Sequence, residues 1–315
     1  MKHPKVFIII LNWNGLRDTL ECLKSVFKLD YENFEVVVVD NGSVDNSVKI
    51  IEIDYPKVKL IRNEENLGFA GGNNVGIKHA LDQGAEYVWL LNNDTIVEAD
   101  ALTNMLKETE RDPKIGIAGS KIYYYSSSNK IWFAGATIDW SRGISDHIGM
   151  DETDIGQYDY VKEMARVTGC SMLVKKDVCD RVGIFDEDFF LYVEEVDWCV
   201  RARKAGFKCI FVPSSVVHHK ASASVLKIGI WNKVFSYYNT RNFLYMIKKS
   251  FNFPDREIIL FMVILRKLKN EKANCLKMLK SFVNPSFKLE PTNAPVIFAV
   301  RDFLNKKMGK VDYKF

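Results

Sequence analysis

The first half of the chain alternates between unbroken apolar runs and segments with an apolar residue every third or fourth position. Residues 6–11 form one such run, as expected of a strand buried on both faces. Leu16, Leu20 and Leu23 then follow helical spacing. Further strands are predicted at 34–39, 58–61, 87–91 and 116–122, and helices at 43–53, 74–82 and 98–110. This alternation predicts an α/β fold, a mainly parallel sheet with helices on both faces.

The second half of the chain is less regular. Residues 123–165 are rich in Tyr, Ser, Gly and Asp, so we expect loops and short strands over the sheet edge. From residue 231 onward the pattern is helical. The remaining predictions are strands at 167–174, 209–212 and 215–219, helices at 178–182 and 194–205, and helix breaks at Pro254, Pro285, Pro291 and Pro295.

Polar residues collect where the predicted strands of the first half end. Asn12, Asp40, Asn41, Asn66 and Asp94 all lie at or just beyond a strand's carboxyl end. In an open α/β sheet, ligands bind in the crevice outside those ends. The pattern therefore predicts a ligand site without identifying the ligand.

The segment 66–76 is the densest glycine cluster, and it matches neither of two nucleotide-binding motifs. Its glycines lack the spacing of the dinucleotide fingerprint, and Ile77 stands where a phosphate loop requires Lys. Two interpretations stay open. The segment is either a close backbone approach to a phosphate at a helix start, or a tight connection between strand and helix.

Asn92, Asn93 and Asp94 follow a buried strand and offer a row of oxygen ligands. Such ligands suit a hard divalent ion that shares a diphosphate. A plain turn, with Asp94 capping the helix predicted after Thr95, is the alternative.

Composition excludes several classes of protein. The chain has 315 residues and a formal net charge of +4, too small to indicate a nucleic-acid binder. Its six cysteines include no C-x-x-C pair, so a zinc module is not expected. Scattered cysteines of this kind predict reduced thiols in a cytoplasmic protein. The N-terminus shows no secretion signal, and the longest apolar run, 258–265, is shorter than the about 20 residues that a membrane-spanning helix needs.

An ordered set of motifs resembles the family 2 glycosyltransferases, especially their rhamnosyltransferase-like branch. The resemblance covers about residues 5–245 and implies the Rossmann-like GT-A fold, here a domain at 1–250 followed by a helical extension at 251–315. The motifs are LNWNG (11–15), VDNGSVDNS (39–47), NLGFAGGNNVG (66–76), LLNNDT (90–95), GCSMLV (169–174), GIFDEDFF (183–190), YVEEVDWCVR (192–201), HH (218–219) and YNTRN (238–242).

The resemblance implies a nucleotide-diphosphate sugar donor, an inverting transfer and Mg²⁺ or Mn²⁺ as cofactor. Asp94 takes the metal-binding position of a D-x-D-like segment in which Asn92 replaces the first Asp, and His219 is implied as a metal or diphosphate contact. Donor contacts are implied for Asn12, Asp40, Asn41, Asn66, Gly68 and Asn93.

Three acids near residue 195 compete for the role of catalytic base. The resemblance selects Glu195, the second member of the family's acidic pair. Asp197 and Arg201 are four residues apart on a predicted helix, which favours a surface ion pair for Asp197. All three acids, Glu194 included, also suit the positive end of a helix dipole without any catalytic role.

The resulting hypothesis is a transferase adding a sugar, first of all L-rhamnose from dTDP-rhamnose, to a glycan or lipid-linked acceptor. A UDP-hexose or UDP-galactofuranose transferase and a non-catalytic sugar-nucleotide-binding subunit are the alternatives. Residues 251–315 carry 13 Lys and Arg against 6 Asp and Glu, so peripheral contact with the inner face of the membrane is a further hypothesis. Packing of 258–265 within the protein or in a homodimer is favoured slightly over membrane contact for that run.

Overall fold

The computed structural model describes residues 3–220, 228–270, 290–291 and 294–313. The predicted helix break at Pro285, and Lys272, Lys277 and Lys280 of the basic region, lie outside these ranges. The chain divides into two compact units. The first comprises Met1–Thr137, Asp146–Asp186 and Glu195–Ala221, and the second comprises Ile138–Ser145, Glu187–Glu194 and Ser222–Phe315. The expected limit of the transferase domain at residue 250 stays a prediction.

The first unit is built on a ten-stranded mixed sheet. Eight of its strands follow one path: β10 (Lys162–Glu163), β12 (Lys208–His219), β6 (Ile115–Tyr124), β11 (Ser171–Lys175), β4 (Tyr87–Asn92), β1 (Val6–Asn12), β2 (Phe34–Asp40) and β3 (Lys59–Arg62). Off this path, β5 (Thr95–Val97) pairs with β12 and β7 (Ser127–Phe133) pairs with β6, while β8 (Ala136–Asp139) and β9 (Ile144–His147) form a separate two-stranded sheet.

The sheet is parallel from β4 to β3 and between β6 and β12, as the alternating pattern predicts. One central strand departs from this order. β11 runs antiparallel to both of its neighbours, β4 and β6. The start of β11 therefore lies at the same edge as the carboxyl end of β4, where Leu91 is the partner of Ser171.

Helices accompany the strands of the first unit at nearly the positions that the sequence predicts. They are α1 (Leu16–Val26), α2 (Ser47–Asp54), α3 (Gly68–Asp82), α4 (Ala101–Thr109), α5 (Lys176–Val182) and α6 (Glu194–Lys204). The strands β1, β2 and β4 are almost wholly buried, which is why they read as continuous apolar runs.

The start of α3 is the main correction to the predicted elements. The helix was expected to begin near residue 74 after a glycine-rich loop, but it begins at Gly68. The glycines let it lie directly on the sheet, because a Cβ at Gly72 would be 2.5 Å from Leu11 Cδ1 and one at Gly76 would be 2.6 Å from Ile9 Cγ2. Glycine is used here for close packing of helix on strand, which outweighs its low helix propensity.

The second unit is helical. It contains α7 (Ile228–Ser250), α8 (Asp255–Asn270) and α9 (Pro295–Leu304), with Pro295 in the first turn of α9. Tyr237 of α7 donates a 2.7 Å hydrogen bond to the buried carboxylate of Asp302 in α9. Within the described ranges, no helix is both long enough and apolar enough to cross a bilayer.

Candidate active site

Asp40 and Asn12 lie side by side at the ends of two parallel strands. The two residues are register partners. Asn12 Nδ2 donates a 2.8 Å hydrogen bond to Asp40 Oδ1, and the Ser43 amide donates a 3.0 Å bond to Asp40 Oδ2. Asp40 is 2% exposed. Its carboxylate is therefore held in one orientation by the turn that follows β2.

Asn41 organises the loop that leads into α3. Its Nδ2 donates to Asn66 Oδ1 at 3.1 Å and to the Gly68 carbonyl at 3.0 Å. Its Oδ1 accepts from Asn63 Nδ2 and the Leu67 amide. Asn66 Oδ1 also accepts from the Gly68 amide at 2.8 Å. The asparagines of this loop thus replace backbone pairing and fix the entry to α3.

Asn93 connects to the Asp40 end of the site through two intermediate side chains. Asn93 Nδ2 donates to Thr19 Oγ1 at 3.0 Å, and Thr19 Oγ1 donates to Asn12 Oδ1 at 2.8 Å. Gly15 makes room for this chain, since a Cβ there would lie 2.4 Å from Asn93 Nδ2. The turn after β4 and the turn after β2 are consequently one hydrogen-bonded structure.

Asp94 and His219 face each other across the pairing of β5 with β12. His219 Nε2 lies 3.1 Å from Asp94 Oδ1, and their side chains are 9% and 16% exposed. Burial alone would lower the pKa of His219, but Cys170 and Asp94 raise it well above its ordinary value. Against its own burial, the pKa of Asp94 is lowered, chiefly by the charge of His219. A buried ion pair results.

After loss of the Nε2 proton of His219, this pair offers one oxygen donor and one nitrogen donor to a divalent ion. Two neighbouring ligands about 2.1 Å from an octahedral ion lie about 3 Å apart, which is the spacing of Asp94 Oδ1 and His219 Nε2. Among the residues that the structure describes, no group of three His, Cys, Asp or Glu side chains forms a metal site. The remaining ligands would have to be diphosphate oxygens and water, as Mg²⁺ sites commonly use.

The turn that presents Asp94 is fixed by the main chain of Asn92. The Asn92 amide donates to the Cys170 carbonyl at 3.0 Å, and its carbonyl accepts from Thr95 Oγ1 at 2.6 Å. The thiol of Cys170 lies beside the imidazole of His219 and raises the pKa of that imidazole. The loop before β11 therefore supports the Asp94–His219 pair from one side.

Glu195 borders this same loop. A Cβ at Gly169 would lie 3.7 Å from Glu195 Cβ, and Gly169 immediately precedes Cys170. The Glu195 side chain is 16% exposed, and its Oε1 lies 3.7 Å from Nη1 of the buried Arg166. Burial lowers the pKa of Arg166 while Glu195 acts against that shift. The structure thus places a carboxylate and its counter-charge beside the loop that carries Cys170.

Asp197 pairs with Arg201 as predicted, but not on the surface. Arg201 Nε donates a 2.7 Å hydrogen bond to an Asp197 side chain that is only 2% exposed. Arg201 also donates to the carbonyls of Val182 and Ile184. The surface position expected from the sequence is wrong because the pair fastens α6 to the turn after α5. The carboxylate of Asp197 therefore has a structural role, since it is bonded to Arg201.

Two further residues at this edge escaped sequence reasoning. Trp13, directly after Asn12, is 49% exposed although it is a large apolar side chain. Lys220 follows His219, and its Nζ pairs with Asp18 at 2.9 Å and Glu21 at 2.5 Å on α1. The position of Trp13 between Asn12 and Asn14, directly after β1, is the sequence signal that could have indicated it. The ion pairs of Lys220 join segments too distant along the chain to be recognised.

Comparison with known proteins identifies the family. The model of glycosyl transferase family 2 matches residues 7–183, more than half of the chain, and the chain belongs to that family. It is 26% identical over 259 residues to the dTDP-rhamnosyl transferase RfbF of Shigella flexneri, covering 79% of this chain and 81% of that relative. It is 28% identical over 216 residues to the N-acetylglucosaminyl-diphospho-decaprenol L-rhamnosyltransferase of Mycobacterium tuberculosis, covering 60% and 67%.

Solved structures confirm the fold. The mannosyltransferase PcManGT of Pyrobaculum calidifontis, in complex with GDP-Man and Mn²⁺, superposes with a TM-score of 0.59 at 18% identity over 98% of this chain and 89% of that one. The GT-A fold is confirmed. Coverage of the relatives is uneven, since the chain spans only 25% of an uncharacterised Sinorhizobium fredii protein to which it is 29% identical.

Proposed function

We propose that the protein is an inverting glycosyltransferase that moves a sugar from a nucleotide-diphosphate donor to an acceptor hydroxyl. One observation carries the proposal. The loop before β11 approaches Glu195 at Gly169 and adjoins His219 at Cys170, so one loop lies beside both a carboxylate and the Asp94–His219 pair. A base and a diphosphate anchor at one edge are what single displacement requires.

The residues around Asp40, the Asp94–His219 pair and Glu195 have separate tasks in the proposed reaction. Asp40, fixed by Asn12 and the Ser43 amide, would accept a hydrogen bond from the base of the nucleotide. The exposed indole of Trp13 would cover the base. Asp94 and His219 would hold Mg²⁺ or Mn²⁺, which acts as a Lewis acid and neutralises the leaving diphosphate. Glu195 would take the proton of the attacking hydroxyl, contributing about 10²–10⁴-fold.

The donor that we propose first is dTDP-L-rhamnose, with a glycan or lipid-linked glycan as acceptor. Support comes from the two relatives whose names specify a rhamnosyl transfer. A UDP-hexose or UDP-galactofuranose donor is the second candidate, since the binding of a pyrimidine base to Asp40 does not by itself distinguish dTDP from UDP. A non-catalytic sugar-nucleotide-binding subunit is the third.

A panel of nucleotide sugars tests the proposal. Donor consumption is measured with Mn²⁺ for the wild type, Glu195→Gln and, as matched control, Glu187→Gln. We expect turnover of one donor by the wild type and the control, and a loss of about 10²–10⁴-fold in Glu195→Gln with nucleotide affinity unchanged. Binding of dTDP or UDP without turnover of any donor would instead favour a binding subunit. Normal turnover by Glu195→Gln would refute the choice of base.

We also propose that one face of α8 rests on an anionic lipid surface. Leu260 and Val263 are buried, and a Cβ at Gly143 would lie 2.6 Å from Val263 Cγ1, so this side of α8 packs within the second unit. On the other side Ile258, Phe261 and Leu265 are 54%, 65% and 51% exposed. The run was expected to pack within the protein or in a homodimer, and one side of the helix packs within the second unit.

The charges near the ends of α8 favour a membrane over a second protein copy. Lys248 and Lys249 lie in the last turn of α7, and Lys267 and Lys269 in the last turn of α8, against Asp255 and Glu257 at its start. Basic residues flanking an apolar helix face are typical of helices that lie in the interface of anionic bilayers.

Sedimentation of the full chain with vesicles tests the lipid proposal. Vesicles of phosphatidylcholine with phosphatidylglycerol should bind the wild type and Glu257→Gln, but not Phe261→Asp, and vesicles of phosphatidylcholine alone should bind weakly. Equal binding by wild type and Phe261→Asp would refute the proposal. So would a homodimer, measured by light scattering, that Phe261→Asp dissociates while vesicle binding persists.

A further inference from the structure

The segment that leads into α6 has an unusual backbone. Phe190, Tyr192 and Val193 have φ angles of +62°, +67° and +76°. Non-glycine residues rarely adopt this left-handed region, and for a β-branched residue such as Val193 it is strongly disfavoured. Such conformations persist only where surrounding structure imposes them, and they cluster at functional sites.

One buried side chain on α7 imposes this conformation. Asn242 Nδ2 lies within hydrogen-bond distance of three carbonyl oxygens of the segment, those of Phe189 at 2.8 Å, Leu191 at 2.9 Å and Tyr192 at 2.8 Å. Asn242 is fully buried. In an extended or helical chain these three carbonyls would not converge on one amide nitrogen. The position of the Asn242 side chain and the left-handed backbone therefore depend on each other.

Arg241 fixes the orientation of Asn242. Its Nε and Nη2 donate to Asn242 Oδ1 at 3.0 and 2.9 Å, which turns the amide nitrogen toward the carbonyls. Its Nη1 donates to the Gly309 carbonyl at 2.8 Å, and the guanidinium lies 4.9 Å from the ring centroid of Tyr238. The YNTRN motif thus forms a rigid clamp.

The clamped segment ends where the proposed catalytic helix begins. Val193 is followed directly by Glu194, the first residue of α6, and Glu195 is the second. The backbone angles of the residues before a helix set the direction in which the helix starts. Resting on the function proposed above, we propose that Asn242 is a positioning residue, which through residues 189–193 fixes the start of α6 and hence the placement of Glu195.

Kinetics and hydrogen exchange together test this role. Asn242→Asp removes the amide donors with little change of volume. Tyr245→Phe is the matched control, because it removes a 3.1 Å bond from the same helix to the side chain of Asp188, next to the segment. We expect Asn242→Asp to lower kcat about 10- to 100-fold with the KM of the donor unchanged, and Tyr245→Phe to alter neither. Because a smaller folded fraction would also lower the apparent kcat at unchanged KM, kcat is expressed per folded enzyme, counted by nucleotide binding.

Exchange of the backbone amides of residues 190–195 gives a second readout that needs no donor. It should be at least about tenfold faster in Asn242→Asp than in wild type or Tyr245→Phe. If Asn242→Asp does not fold, Asn242→Ser, which keeps one donor and adds no charge, takes its place with the same expected direction. Unchanged exchange refutes the clamp. Faster exchange with normal kcat refutes its link to Glu195, and a wild type that turns over no donor refutes the proposed function instead.

Discussion

The main-chain amide of Lys220 donates a 2.9 Å hydrogen bond to the carbonyl of Asp94. The residue after His219 is therefore bonded to the residue that His219 contacts, and the end of β12 and the turn after β4 are held together twice. Two groups fixed in this way lose little freedom when they bind an ion, which favours binding.

His219→Ala should weaken the metal-dependent part of nucleotide binding. Removing one of two protein donors should lower Mn²⁺ affinity by at least about tenfold. Calorimetry with dTDP or UDP, with and without Mn²⁺, measures this. His218→Ala is the matched control, because His218 points the other way and its Nε2 lies 3.1 Å from Glu98 instead. Equal losses in the two variants would show that His219 has no special role.

Asp40→Asn should lower affinity for the free nucleotide whether or not metal is present. An amide at this position can accept from Asn12 or from the Ser43 amide, but its NH₂ group then faces the other donor. We expect a cost of about 1–3 kcal/mol, roughly 5- to 150-fold in Kd. Asp45→Asn, in the same loop but exposed, should bind normally. Unchanged nucleotide affinity in Asp40→Asn would show that Asp40 does not bind the nucleobase.

Gly72→Ala should destabilise the fold despite the better helix propensity of alanine. The added methyl would meet Leu11 Cδ1 at 2.5 Å, and overpacking of this kind costs about 1–3 kcal/mol. Lys78→Ala, on the exposed side of the same helix, should change stability by less than about 0.5 kcal/mol. Urea unfolding measures both. A stabilised Gly72→Ala variant would mean that α3 can move away from the sheet.

His147 should make the protein less stable as the pH falls below about 6.5. Burial lowers its pKa to about 3, while in the unfolded chain it binds a proton near pH 6.5. Between these values the unfolded state holds more protons, so the free energy of unfolding decreases as the pH falls, by about 1–2 kcal/mol between pH 6.5 and 5. His147→Gln should show a correspondingly shallower pH dependence in urea unfolding. An unchanged slope would contradict this burial effect.

The sequence predicts the arrangement around Asp40 better than the arrangement around Glu195. Asn12 and Asp40 were expected together because both end parallel strands, and register places them side by side. Glu195 was selected by resemblance alone. The positions of Arg166 and Gly169 near Glu195 depend on β11 being inserted antiparallel. No local pattern distinguishes an antiparallel buried strand from a parallel one.

The elements that were misjudged share a physical cause. The glycines of α3 suggested a loop because helix propensity counts against them, yet contact with Leu11 and Ile9 decided the outcome. The Asp197–Arg201 pair was expected in solvent because its spacing is that of a surface pair. In both cases tertiary packing, which single-chain periodicity does not contain, reversed the local preference.

The reversed direction of β11 has a consequence for how this enzyme family can diversify. Its neighbours present the loops that leave them at the ligand edge, whereas β11 presents the loop that enters it, residues 166–170. Changes in the chain upstream of that loop can therefore reshape the surroundings of Glu195 while Asn12, Asp40 and Asp94, encoded before residue 95, are left intact. Exchanging this entering loop between relatives would test whether it shapes the acceptor side of the proposed transfer.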